Sequence, residues 1–392
     1  MKKLLGLFLA LAMLMTGVAM AEGTEPVFTQ DVVVLFTSDV HCGVDQGFGY
    51  AGLAAVRDNL AKTNHVLLVD NGDSIQGEPI GTMTTGESNI ELMNAVGYDI
   101  ATIGNHEFDY GYAQLAENMK AAKFKVLCAD VLGADGKTIF DANTIIEKGG
   151  VKIGFFGLET PEAQTKANPK LIQGLKFLAG KDGSELYACA AEQVAELQKN
   201  GADIVVCLAH LGIDESSEPY TSYDLAKNVQ GIDFIIDGHS HTVMTAGITI
   251  DNATKQIVGN ELKAIWHKEQ VEGKDVTVVD YKTRDEKVAA AAKAIIDPID
   301  KAYGEKFAES EVALNGAKAP NGNRDSETNL GDLITDAMLW KVLADAEITV
   351  PEENVVAITN GGGIRATVKA GDITKKDINT VLPFGNTLAV VY

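Results

Sequence analysis

Five apolar runs in this chain stop at the same kind of tip. Asp31-Val-Val-Val-Leu-Phe-Thr-Ser ends at Asp39-Val40-His41, and His65-Val-Leu-Leu-Val runs into Asp70-Asn71-Gly72-Asp73. Ile100-Ala-Thr-Ile meets Gly104-Asn105-His106-Glu107-Phe108-Asp109. Asp203-Ile-Val-Val-Cys-Leu meets Ala209-His210, and Asp233-Phe-Ile-Ile meets Asp237-Gly238-His239-Ser240-His241. Runs this apolar suit strands buried on both faces. In α/β sheets of that kind, function collects beyond the carboxyl ends of the strands. Segments with helical spacing lie between them, at 50–64, 88–96, 112–122, 185–199 and 222–228. A hairpin-like pair near Ile145 and Lys152–Gly157, and short β segments after Gly247, make the sheet mixed. The expectation is a sheet-centred α/β domain with helices on the outside, spanning 31–284.

A chain of 392 residues exceeds one ordinary domain. The composition shifts over 285–309, rich in Ala, Lys, Glu and Ile with one Pro at 298, which reads as a linking helix. A smaller α/β domain is expected over 310–392, with a helix at Leu330–Leu343 and a strand at Asn354–Ile358. Leu388-Ala-Val-Val-Tyr392 reads as the middle of a strand, so this domain is expected to be truncated. At the other end, Lys2-Lys3, the apolar Leu4–Met15 and the small residues of Ala19-Met20-Ala21 have the form of a signal peptide over 1–21. Export follows, to a secreted, periplasmic or cell-surface location. No other run reaches the roughly 20 apolar residues of a membrane span. The formal charge of −22 excludes a nucleic acid polymer or an anionic membrane as partner, since either needs a basic face. The four cysteines are irregularly spaced in apolar surroundings and read as small buried side chains rather than a disulfide framework.

Asp39, His41, Asp73, Asn105, His210, His239 and His241 each follow one of the five runs. The chain has only seven histidines, and with His106 five of them fall at these tips. Asp39 and His41, at i and i+2 of an extended segment, point the same way. Mixed imidazole and carboxylate ligands suit zinc, manganese or iron, whereas magnesium and calcium prefer oxygen alone. Seven ligands are too many for one ion and suit two divalent ions. Two such ions can neutralise a phosphate ester and activate water against it. Asp109, three residues past His106, can hydrogen-bond that imidazole and set its tautomer. Glu107 reads as structural, because a carboxylate beside the pair would repel an anionic substrate.

The order Asp-x-His, Gly-Asp-x-x-x-Gly, Gly-Asn-His-Glu, Ala-His-Leu-Gly and Gly-His-Ser-His resembles the calcineurin-like metallophosphoesterase superfamily. Glu-Thr-Asn-Leu-Gly, Asn-Gly-Gly-Gly-Ile-Arg and Pro-Phe-Gly-Asn resemble its bacterial 5′-nucleotidase / UDP-sugar hydrolase / 2′,3′-cyclic phosphodiesterase branch. The resemblance implies one ion on Asp39, His41 and His241, another on Asn105, His210 and His239, and Asp73 between them. It makes His106 and Asp109 the catalytic dyad. It makes Arg324, Asn360, Gly362 and Arg365 substrate-binding residues, with Arg365 on a phosphate or carboxylate, and it places Phe384 and Asn386 on the nucleobase. Two features depart from the pattern: a second stacking ring would come from beyond Tyr392, and a further arginine is replaced near Asn321. The implied activity is removal of phosphate from nucleotides. A cyclic-nucleotide phosphodiesterase or nucleotide-sugar pyrophosphatase would use the same site, and a non-catalytic nucleotide-binding surface protein is the reading from another class.

Overall fold

The structure is a computed structural model. It describes residues 32–244, 246–251, 256–261, 266–271, 274–279, 284–318, 320–345, 351–384, 388 and 390. The expected signal peptide, most of the terminal strand and Asn386 lie outside these residues.

The first part of the chain runs β1 (Val32–Thr37), α1 (Gly49–Leu60), β2 (His65–Asp70), α2 (Pro79–Thr84), α3 (Glu87–Val96), β3 (Ile100–Thr102), α4 (Tyr112–Lys120) and β4 (Lys125–Leu127). Strands β1-β2-β3-β4 form a parallel sheet in that order. Next come β5 (Val131–Leu132), β6 (Asn143–Lys148), β7 (Val151–Glu159), α5 (Ala163–Lys166), β8 (Lys176–Phe177), α6 (Ser184–Lys199), β9 (Ile204–His210), α7 (Ser222–Asn228) and β10 (Phe234–Asp237). These give a second sheet, ordered β10-β9-β7-β6, in which only the β6–β7 hairpin is antiparallel. The mixed sheet expected from the sequence is this one; the first sheet is wholly parallel.

The strands are apolar throughout because both faces of the second sheet are covered. On β7, Ile153 and Phe155 pack with Leu67, Val69, Ile100 and Leu127 of the first sheet, together with Val206 and Leu208 of β9. The other face, Phe156, Leu158, Val205, Cys207 and Ala209, packs on Leu186, Ala190 and Val194 of α6 and on Leu225 of α7. Face-to-face packing brings the carboxyl ends of β1, β2, β3, β9 and β10 to one edge. Asn71 ties that edge together, its Nδ2 donating to Ala209 O of the second sheet and, at 2.9 Å, to Ile236 O. All four cysteines are buried, as expected.

Four short strands follow as two hairpins: β11 (Ala246–Asp251) with β12 (Gln256–Glu261), and β13 (Trp266–Val271) with β14 (Lys274–Val279). Helix α8 (Glu286–Tyr303) comes next, and β15 (Lys306–Ser310) occupies the end of the span read as helix. The remainder holds α9 (Asn329–Asp345), β16 (Gly371–Thr374), which pairs with β15, and α10 (Lys375–Val381). Its core is Leu314, Leu330, Ile334, Ile364, Val368, Ile373 and Val381.

By packing, the described residues up to Ile75 and Asn89–Ala292 form one compact unit, and Gln76–Ser88 joins those from Lys293 onward in another. Within that second unit α2 packs on α10, and Gln76 Nε2 donates to Pro383 O at 2.9 Å. The strand expected at Asn354–Ile358 is not formed. Val356 and Ile358 are 81% and 85% exposed, and no strand among the described residues pairs with them.

Candidate metal centre

The tip loops of β1 and β2 continue pairing past the strands. Asp39 N donates to Gly72 O at 3.0 Å, His41 N to Asp73 O at 2.9 Å and Cys42 N to Ser74 O at 3.1 Å. Glu107 clamps the second loop, its carboxylate accepting from the backbone N–H of Asp73 (2.7 Å), Ser74 (2.8 Å), Ile75 (3.1 Å) and Gly104 (2.5 Å). Its role is structural, as the sequence suggested. From β10, His239 N donates to Asp39 Oδ1 at 3.0 Å.

These anchors hold the backbone where side chains are uncomfortable. Asp39, His41, Asp73, His239 and His241 have φ of 53°, 46°, 55°, 73° and 52°. They make up five of the eight described non-glycine residues with positive φ. Such strain costs of order 1–3 kcal/mol per residue and gathers at functional sites. Glycines complete the cradle. A Cβ on Gly104 would lie 2.4 Å from Asp73 Oδ1 and 2.7 Å from His210 Nε2.

Ligand atoms of Asp39, His41, Asp73 and His241 all lie within 4.8 Å of one another, as do those of Asp73, His210 and His239. Asp73 belongs to both groups. His41 Nε2 is 3.3 Å from His241 Nε2 and 3.7 Å from Asp73 Oδ2, and His241 Nε2 is 3.4 Å from Asp39 Oδ1. On the other side, His210 Nε2 lies 3.1 Å from Asp73 Oδ2 while its Nδ1 faces Asn71 O at 2.7 Å. Asn105 Oδ1 is buried without a hydrogen-bond partner, and Asp73 Oδ2 and His210 Nε2, 3.1 Å apart, are buried with no well-aligned hydrogen bond. Buried polar atoms are rarely left so, and three at one place fit cations that take them as ligands. The residues therefore suit a dinuclear site of Asp/His type.

The electrostatics agree with that donor set. Burial alone would raise the Asp73 carboxyl, but His210, His106 and His41 hold it well below the ordinary carboxylate range. Burial works against a charged His210 too, yet Asp73 and then Asp39 raise it well above the usual imidazole value. Anionic oxygens thus draw positive charge into a buried place. His106 stands at the edge of the cluster, its ring 5.2 Å from that of His41 and its backbone N–H donating to Asp73 Oδ1 at 2.8 Å. Its Nδ1 is 2.8 Å from Asp109 Oδ2, which leaves Nε2 as its outward atom.

Three side chains that the sequence reading passed over form a cluster at His239, two of them touching it. Glu162 Oε2 lies 2.8 Å from His239 Nε2 and accepts from Ser217 Oγ at 2.9 Å and Lys166 Nζ at 3.1 Å. Glu162 follows the β7 tip by three residues, so the same search of strand ends, carried slightly further, finds it.

In the second unit, Arg365 Nη1 reaches Gly362 O at 3.4 Å, and the guanidinium carbon lies 5.4 Å from the centre of the Phe384 ring. Arg324 stands beside the glycine turn, 4.0 Å from where a Cβ of Gly362 would sit. Asn360 flanks that turn, accepting from Gly363 N through its carbonyl at 3.0 Å. Lys318 adds a third cation: partial burial, then Arg365 and Arg324, lower its ammonium. Arg324, Asn360, Gly362, Arg365 and Phe384 thus lie around one turn.

Comparison with known proteins gives two family matches: the calcineurin-like phosphoesterases over residues 32–243 and the 5′-nucleotidase C-terminal domain over 306–392. The chain is 28% identical to the trifunctional nucleotide phosphoesterase of Bacillus subtilis over 92% of its own length but only 26% of that relative's. It is 28% identical to a 5′-nucleotidase of Vibrio cholerae, with 95% of this chain and 75% of the relative aligned. It is 32% identical to the 2′,3′-cyclic-nucleotide 2′-phosphodiesterase/3′-nucleotidase of Haemophilus influenzae over 72% of the chain and 47% of the relative. Among solved structures, a 5′-nucleotidase precursor from Thermus thermophilus superposes with a TM-score of 0.70 at 28% identity, covering 90% of this chain and 74% of that one.

Proposed function

The chain belongs to the calcineurin-like phosphoesterases, and on that premise we propose that it removes phosphate from nucleotides, as a metal-dependent hydrolase of 5′-nucleotidase type. The observation that carries the proposal is the pair of Asp/His donor groups that share Asp73, with the ligand atoms Asp73 Oδ2, Asn105 Oδ1 and His210 Nε2 buried among them without a well-aligned hydrogen bond. In this reading Asp39, His41 and His241 hold one divalent ion, and Asn105, His210 and His239 hold the other. Asp73 serves both. Bound there, zinc, manganese or a similar pair supplies charge neutralisation and a water of lowered pKa. The chain's own residues do the rest. Asp109 keeps the His106 tautomer, so that Nε2 faces the reacting group and protonates or stabilises the leaving oxygen.

Arg324 and Arg365 take the substrate's anionic group, with Asn360 and Gly362 shaping the turn around them. Phe384 and Asn386 meet the base. The domains follow the sequence reading: a signal peptide over 1–21, a catalytic domain over 31–284, a linker over 285–309 and a substrate-binding domain from 310. The enzyme acts after export. No helix among the described residues is long and apolar enough to cross a membrane.

Phosphate release from AMP, assayed with manganese and then with excess chelator, tests the proposal. Chelation should abolish turnover and added manganese restore it. Chelator-insensitive release, or none from any nucleotide, overturns it. The Haemophilus relative's name favours one second reading, hydrolysis of 2′,3′-cyclic nucleotides at the same site. Faster turnover of 2′,3′-cyclic AMP than of AMP selects that reading. An intact His106–Asp109 pair argues against a nucleotide-binding protein without turnover.

A further inference from the structure

Each of three histidines at this centre has one ring nitrogen already engaged. His106 Nδ1 faces Asp109 at 2.8 Å and His210 Nδ1 faces Asn71 O at 2.7 Å, so both turn Nε2 toward the site. His239 is the reverse. Its Nε2 faces Glu162 Oε2 at 2.8 Å, with Lys166 Nζ 3.1 Å away. A metal-bound imidazole must be free of its proton at the ligating nitrogen, and a carboxylate on the other nitrogen fixes that tautomer and raises ligand basicity.

We propose that Glu162 is a positioning residue for the second ion: it takes the Nε2 proton of His239 in a hydrogen bond and thereby leaves Nδ1 as the ligating atom. This rests on the two-ion reading above. Glu162 is built for the task. Its position ahead of α5 lets Lys166, one helical turn on, reach the same oxygen that His239 uses, and Ser217 donates to it from beyond β9. Lys166 and the ring N–H are both donors converging on Oε2, and their 3.1 Å separation follows from that sharing. The competing arrangement has Lys166 donating to an unprotonated Nε2. The proton would then sit on Nδ1, and the ring would offer the site no lone pair.

The test is a calorimetric titration of the metal-free full chain with manganese(II), with NMR of isotope-labelled histidine on the same samples. Wild type should take two ions and show His239 as the Nε2–H tautomer before metal is added. Glu162→Ala should bind the second ion about 10–100-fold more weakly, leave the first unchanged and show mixed tautomers. Glu162→Gln keeps a carbonyl acceptor and should recover part of the affinity; it carries the test if the alanine variant fails to fold. Lys166→Met should retain both ions. Unchanged affinity for both ions in Glu162→Ala and Glu162→Gln, or an Nδ1–H tautomer in wild type, overturns the inference and spares the two-ion reading. A wild-type chain that takes no ion removes both.

Discussion

His106 is held by two acids with different jobs. Asp109 bonds its ring at 2.8 Å, while Asp73 accepts from its backbone N–H at 2.8 Å and belongs to both ligand groups. Burial would lower the imidazole, but Asp73 and then Asp109 outweigh it and raise the pKa, favouring a protonated ring able to donate. Because His106 belongs to neither ligand group, His106→Ala should leave metal content at the wild-type level while lowering kcat by about 10²–10⁴-fold. Elemental analysis beside AMP turnover checks both halves. Loss of metal along with activity would make His106 a ligand instead.

Between the elements, Asp130 joins β7 to the segment after β4. Its Oδ1 accepts from Glu159 N at 3.0 Å, and its Oδ2 is buried without a partner. Burial pushes its carboxyl from 3.8 to about 7. The folded chain therefore keeps a proton there that the unfolded chain loses near pH 4. A raised folded-state pKa means that this group's contribution to stability falls as pH rises from about 4 to about 7, by up to about 1.4 kcal/mol per unit, then levels off. Asp130→Asn keeps a carbonyl acceptor and cannot ionise. Its stability relative to wild type should climb over that window and plateau above it, as read by urea denaturation across a pH series. The elements themselves were legible where their signals were local: α7 was expected at 222–228 and observed at Ser222–Asn228. The five tips were legible because ligand-type residues at strand ends stand out against apolar runs. The split into two sheets was not, since a strand buried on both faces reads the same whether helices or another sheet covers it. The strand expected at Asn354–Ile358 failed for a related reason: β propensity cannot name a partner. Glu162 escaped because a lone carboxylate before a four-residue helix looks like an ordinary cap.

At the scale of the whole molecule, the net charge of −22 includes several buried acids at and beside the metal centre, among them Asp73, Glu107 and Glu159. Burial and then Asp73 raise the Glu107 carboxyl, and burial, with Asp73, Asp130 and Glu107, raises that of Glu159; bound cations would relieve this repulsion. Each ion held at about 100 times its Kd adds about 2.7 kcal/mol to the folded state. Two ions raise the melting temperature of the unit that binds them by roughly 10–20 °C. Calorimetry with manganese and with EDTA measures the shift, and equal melting in both would mean that nothing binds. The left-handed backbone at His41, His239 and His241 has an evolutionary consequence. Glycine and asparagine are at ease in that conformation, whereas histidine is not. A lineage that lost its need for the substrate would drift toward those two residues at all three positions and gain in thermal robustness as it did so.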